Sequence, residues 1–169
     1  MKKLIILFIG IVFTLLPLTE INAQSKVAHI NTQELISEMP EVISAQKELK
    51  KLEEQYAKEL ESSVKEFQTK AQTYAGDAQN QTELINQQRQ SELEGMQQRI
   101  QEFRDTASQE LQKRSAEMMK PLYDKARTAI EKVASAQGFN YVLDSSNGGS
   151  VIMANGKDLS AEVKKELGF

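Results

Sequence analysis

The sequence predicts a mainly α fold in which a long antiparallel helical hairpin projects from a small β-containing oligomerisation body. An apolar stripe with helical spacing runs from Val42 to Val133, with a single break near Gly76. The two halves of the stripe match each other in antiparallel register. Short strand patterns stand at the two ends of the exported chain, outside the stripe.

The antiparallel register is visible in the residue numbers of the apolar positions. Facing numbers add up to 159 or 160, because each step up one helix is a step down the other. The pairs are Phe67 with Leu93, Val64 with Met96, Leu60 with Ile100, Tyr56 with Phe103, Leu52 with Ala107, Leu49 with Leu111, and Val42 with Met118. We therefore predict a coiled-coil arm over 46–114, with its tip near 76–82. At about 1.5 Å per residue, the helix from Pro40 to the tip would be roughly 57 Å long.

Residues 1–23 have the pattern of a cleavable signal peptide. Two lysines precede an apolar run over 4–16, and Ile21-Asn22-Ala23 forms a cleavage site. The alternative is an uncleaved membrane anchor, but the run is shorter than the about 20 residues that span a bilayer. We expect cleavage after Ala23 and export of residues 24–169. No cysteine follows the cleavage site, which argues against a lipoprotein.

The composition of the exported chain excludes several classes of function. Removing the signal peptide leaves 19 basic and 23 acidic residues, a net charge of −4, which disfavours nucleic-acid binding. The chain has no cysteine and one histidine, so we expect no disulfide, no metal site and no cofactor. His29 lies in a strand pattern without a catalytic neighbour in sequence, and we interpret it as structural. No phosphate-binding loop or nucleophile motif is present, so we predict that the protein is not an enzyme.

The body is predicted to combine the two ends of the exported chain, residues 24–45 and 115–169. Strands are expected at 26–31, 139–144 and 150–154, with a hairpin turn at Asn147-Gly148 and a C-terminal helix over 161–167. Pro40 and Pro121 lie at nearly the same level of the hairpin, which marks a boundary between arm and body. So small a sheet leaves open edges, which predicts an oligomer without giving its number.

The two ends of the chain also carry motifs of a known family. They are Lys26-Val-Ala-His-Ile-Asn-Thr-Gln-Glu-Leu-Ile36, Ala136-Gln-Gly-Phe-Asn-Tyr-Val-Leu-Asp144 and Asp158-Leu-Ser-Ala-Glu-Val-Lys-Lys-Glu-Leu167. With the long helix pair between them, they resemble the Skp (OmpH) family of periplasmic chaperones. The resemblance implies a jellyfish-shaped homotrimer whose arms surround a cavity for unfolded outer-membrane proteins, without ATP. Members of that family have basic arm tips, whereas residues 68–101 here carry a net charge of −1.

Candidate client-binding residues lie at the tip and at the base of the arm. Tyr74, Leu84 and Ile85 flank the predicted turn, where they either close the apolar seam or present an apolar tip. Met118 and Met119 are adjacent, so both cannot face the seam, and one of them either packs on the body or points into the cavity. A structural coiled-coil spacer of the cell envelope, without clients, remains the alternative function.

Overall fold

The computed structural model describes residues 25–147 and 151–169. The predicted signal peptide and residues 148–150 of the predicted hairpin lie outside the described residues. In chain order the elements are β1 (Val27–Ile30), α1 (Thr32–Glu38), α2 (Pro40–Asp77), a 3-10 turn (Ala78–Asn80), α3 (Glu83–Ala136), β2 (Tyr141–Asp144), β3 (Lys157–Asp158) and α4 (Ser160–Leu167). The fold is mainly α with a small β sheet, as the sequence predicts.

The arm is built from α2 and α3, which run antiparallel and reverse direction through residues 78–82. All of the predicted seam residues are half-buried or buried, whereas most of their helical neighbours are exposed. The rings of Tyr56 and Phe103 meet edge to face, with centroids 6.0 Å apart. The return helix begins at Thr82, whose hydroxyl accepts a hydrogen bond from the backbone N–H of Ile85 at 3.3 Å. The predicted register is therefore the register of the fold.

The hydrophobic core lies under one face of the sheet, where the base of the hairpin meets the short elements. Its fully buried large side chains are Ile30, Leu35, Met39, Val42, Leu159 and Val163. The return helix adds small residues, Ala126, Ala129 and Ala134, which let it pack closely against them. Asn31 caps α1 by accepting a hydrogen bond from the backbone N–H of Glu34 at 3.1 Å. The core therefore fixes where the arm begins.

The sheet has the order β2-β1-β3, and both outer strands pair with β1 in parallel. Side chains alternate along β1, so Ala28 and Ile30 enter the core while their neighbours point away from it. The register joins those neighbours across strands into a surface that we call the open sheet face: Val27, His29, Tyr141 and Leu143. Within the described chain, no element covers this face, where Tyr141 is 60% exposed and Leu143 is 45% exposed.

The predicted third strand at 150–154 is wrong. Residues 151–156 form no strand, and the third strand is Lys157–Asp158. The hairpin prediction fails with it, because β2 and β3 lie on opposite sides of β1 and do not pair with each other. An Asn-Gly pair favours a tight turn, but it produces a hairpin only where the two flanking segments pair. Here the next strand along the chain, β3, pairs with the opposite edge of β1 instead of returning beside β2.

The two prolines stand at the level where the arm leaves the core. Pro40 is the first residue of α2, where its missing N–H costs no hydrogen bond. Pro121 lies inside α3, and the buried core residues of that helix all follow it. Two ion pairs cross the hairpin at its base, Lys125 with Glu41 and Arg114 with Glu48.

Among the helices of the described ranges, none joins the length and the apolarity that a membrane span requires.

Candidate functional site

At the tip, five side chains join the last turns of α2 to the first turns of α3. We call them the tip clamp: Lys70, Tyr74, Asp77, Arg89 and Glu92. One carboxylate oxygen of Glu92 accepts a hydrogen bond from the Lys70 ammonium at 2.5 Å, and the other accepts one from the Tyr74 hydroxyl at 2.5 Å. The Arg89 guanidinium lies 4.7 Å from the centre of the Tyr74 ring. It also donates to Asp77 at 3.1 Å, so the five side chains form one connected network.

The contacts of the tip clamp shift the pKa values of its members. The hydrogen bond from Arg89 holds the pKa of Asp77 below its usual value. The hydrogen bond from Lys70 does the same for the pKa of Glu92. Conversely, the bond to Glu92 raises the pKa values of Lys70 and Tyr74. Lys70, Asp77 and Glu92 are therefore charged around neutral pH, and the Tyr74 phenol keeps its proton.

The three candidate residues at the tip differ in how accessible they are. Tyr74 is half-buried and belongs to the tip clamp, and Ile85 is half-buried in the first turn of the return helix. Leu84 is 64% exposed, which makes it the one tip candidate that a large partner could contact without a change of structure. Tyr74 and Ile85 are thus partly covered and Leu84 is accessible, and a role of the three residues in client binding stays a prediction.

The two candidate methionines lie where the arm meets the core. Met118 is half-buried, and Met119 packs against the core residues. Met119 also lines an open groove of about 670 Å³ between the two helices, which we call the arm-base groove. Its apolar lining comes from Leu49, Leu111, Ala116, Met119 and Tyr123. Tyr123 is 49% exposed, so the groove is accessible from solvent.

The comparisons with known proteins identify the family. The model of the OmpH-like outer-membrane protein family matches residues 26–167, which include every helix and strand of the fold. The chain belongs to the OmpH-like family. Among curated proteins, none matches this OmpH-like sequence.

A solved structure shares the fold of this OmpH-like chain. It is a crystal structure from Caulobacter crescentus, described as that of an OmpH-like candidate outer-membrane chaperone. The two structures superpose with a TM-score of 0.75 over 86% of this chain and 85% of that chain, at 18% sequence identity. At this identity the likeness establishes the fold. The core, the three-stranded sheet and the long hairpin are therefore an architecture that very different sequences adopt.

Sequence reasoning missed two features of this OmpH-like chain. The open sheet face was missed although Tyr141, Val142 and Leu143 are apolar in succession, which is typical of a strand covered on both faces. The tip clamp was missed because its charges resemble those of any solvated helix surface. Among the described residues, no group of three or more acidic or histidine side chains is placed to hold a metal ion.

Proposed function

We propose that the mature chain is a periplasmic, ATP-independent holdase that binds unfolded outer-membrane proteins and prevents their aggregation in transit. The observation that carries this proposal is the family match over 26–167, together with an arm that extends beyond the core. The arm offers a long surface beside which an extended polypeptide could lie.

The holdase is proposed to be a homotrimer joined through its body, since one subunit leaves the open sheet face uncovered. Val27, Tyr141 and Leu143 expose apolar area there, and within residues 25–147 and 151–169 the outer edges of β2 and β3 have no strand partner. Unpaired strand edges and contiguous apolar surface both favour association. A second copy that pairs with one edge would satisfy backbone groups and cover apolar area together. The number three comes from the family resemblance.

Client contacts are proposed at the apolar surfaces that a long chain can reach. At the tip this is Leu84, and at the base it is the arm-base groove with Met119 and Tyr123. Tyr74, Ile85 and Met118 are half-buried and are proposed to contribute secondary contacts. Methionine and aromatic side chains suit a surface that must accept many sequences, because they adapt or offer broad apolar area.

We expect capture of clients to depend mainly on apolar burial, because the chain lacks an excess of positive charge. The affinity for a urea-unfolded outer-membrane β-barrel protein should therefore change less than about threefold between roughly 0.01 M and 0.15 M salt. Over that range the screening length falls from about 30 Å to about 8 Å. Fluorescence titration of the labelled client at each salt concentration measures the dissociation constant.

A charge-reversed arm provides the matched control for the salt titration. Glu83 and Glu94 are exposed and lie outside the tip clamp, so Glu83→Lys with Glu94→Lys should create salt-dependent binding without disturbing the fold. A steep loss of affinity with salt in the unmodified chain would refute capture by apolar burial. Absence of client binding at every salt concentration would refute the holdase.

A structural spacer without clients is the second candidate function. It is favoured by the small number of large apolar side chains that the arm exposes, which in the described chain are Ile43, Leu84 and Tyr123. A spacer would form the same oligomer and the same seam, yet it would leave the aggregation of an unfolded protein unchanged.

A further inference from the structure

The apolar seam becomes thin toward the tip of the arm. Between Ala45 and Met96 no side chain of the hairpin is buried, and the seam residues in this interval are half-buried. Beyond Phe67 and Leu93 the seam continues with the small Ala71. The next level up the hairpin is occupied by the polar tip clamp. Apolar burial alone therefore contributes little to holding the two helices together at the tip.

The tip clamp supplies the contacts that the seam lacks. Its hydrogen bonds from Lys70 to Glu92, from Tyr74 to Glu92 and from Arg89 to Asp77 all cross from α2 to α3. The guanidinium of Arg89 also lies over the Tyr74 ring, and it therefore limits the access of solvent to that ring. The clamp thus joins the two helices and covers the largest apolar side chain of the tip in one arrangement.

We propose that the tip clamp is a reversible latch, which holds residues 70–92 closed and whose opening exposes the ring of Tyr74. The exposed ring would add to Leu84 as an apolar contact surface for an unfolded polypeptide. That last step rests on the holdase function proposed above, whereas the latch itself is a property of the hairpin.

The burial and bonding of the clamp suit a latch that opens. The side chains of Asp77, Lys70 and Glu92 remain 36% to 39% exposed, so water competes for their ionic contacts. Among the residues that the structure describes, the buried Nη1 atom of Arg89 has no hydrogen-bond partner, which is unfavourable for the closed form. Apolar residues at these positions would stabilise a permanently closed tip more strongly. The observed residues give a closed form whose contacts water can replace.

The charges around the clamp keep it closed in mild acid. Glu66 lies 3.7 Å from the Lys70 ammonium, and the charge of Arg99 also acts on Glu92. Because the folded pKa values of Asp77 and Glu92 lie below their unfolded values, their contribution is fully present above about pH 5. It is lost as the pH falls through the folded values. Mild acid is therefore not expected to open the latch.

Hydrogen exchange in the full-length mature protein tests the latch without any client. Glu92→Gln removes the central charge of the clamp and keeps the shape of the side chain. Backbone amides in residues 70–92 should exchange about five- to tenfold faster in this variant, because two charge-assisted hydrogen bonds weaken. Glu94→Gln is the matched control: it makes the same change in charge on an exposed residue outside the clamp, and tip exchange should stay unchanged.

Two exchange results would overturn the latch. One is tip exchange in Glu92→Gln equal to that of the unmodified chain, and the other is equal acceleration along the whole arm. Tyr74→Phe, which removes only the bond to Glu92, should give a smaller acceleration confined to the same residues. A uniform response along the arm would again mean that no local latch exists.

Client binding by the same variants tests whether opening exposes a contact surface. If the unmodified chain holds an unfolded outer-membrane protein, Glu92→Gln should bind it at least about twofold more tightly than Glu94→Gln does. Equal affinity of the two variants would overturn the contact surface. If the unmodified chain holds no client, the holdase function fails, and faster tip exchange in Glu92→Gln would still support the latch. The two failures are therefore distinguishable.

Discussion

Replacing Ile100 by Asp is expected to unfold most of the arm while the core remains folded. Ile100 is half-buried between the two helices, close to Met96 and Phe103. The substitution removes apolar burial and places a carboxylate in the seam without a partner, which should cost roughly 2 kcal/mol or more. The core lies at the other end of the hairpin and makes no use of this position. Circular dichroism should show a large loss of helical signal, with the mass of the oligomer unchanged.

The control for this experiment is an exposed position one turn away. Gln97→Asp introduces the same charged side chain on the solvent side of α3 and should leave the helical signal within error of the unmodified chain. If Ile100→Asp also keeps its full helical signal, the arm does not depend on the seam. The antiparallel pairing would then need another source of stability.

Replacing Leu143 by Asp is expected to dissociate the proposed oligomer into monomers. Leu143 lies on the open sheet face, opposite His29 in the register of β1 and β2. Its side chain points away from the core, so the fold of the subunit should persist. A carboxylate on a face that must be covered by another copy would remain desolvated and unpaired, which is strongly unfavourable. Native mass spectrometry or light scattering reports the mass.

Leu84→Asp is the matched control for the sheet face. It makes the same substitution at an exposed leucine on the far end of the arm, and the oligomer should keep its mass. An unchanged mass for Leu143→Asp would show that the subunits associate through another surface. A change of mass for Leu84→Asp would place the contacts in the arms.

The arm could be predicted from the sequence because its structure depends on one feature, the helical spacing of its apolar residues. Apolar residues spaced three or four apart must share a face of a helix, and two such faces pair in only a few registers. The sum of Tyr56 and Phe103 placed these residues opposite each other, and their rings are in contact. The helix start at Pro40 was also predictable, since a proline at the first position of a helix depends only on its neighbours in the chain.

The sheet could not be predicted in the same way, because strand pairing is a long-range property. Four-residue strands carry little pattern, and the parallel pairing of β1 joins segments more than a hundred residues apart. The Asn-Gly pair at 147–148 gave a local signal for an antiparallel hairpin. The pairing that forms instead places Leu159, which follows β3, in the core beside Val163. Tertiary packing thus outweighs the preference of the turn.

The candidate site was only partly predictable, for reasons of chemistry. Leu84 and the methionine pair could be named because large apolar residues stand out in a polar segment. The tip clamp could not, since nothing in the order of residues distinguishes Glu92 from an exposed neighbour such as Glu94. Only the three-dimensional structure shows that Glu92 contacts two residues of the opposite helix while Glu94 contacts none of the clamp.

The central claim is that the arms keep an unfolded client from aggregating, and light scattering tests it most directly. A urea-unfolded outer-membrane β-barrel protein is diluted into the mature chain without nucleotide, and into a variant in which a short turn replaces Gln46 to Lys113. We expect the mature chain to suppress scattering at a few oligomers or fewer per client. The armless variant should keep the oligomer number but should not suppress scattering. Equal scattering with and without the well-folded mature chain would contradict the holdase function and favour the structural spacer.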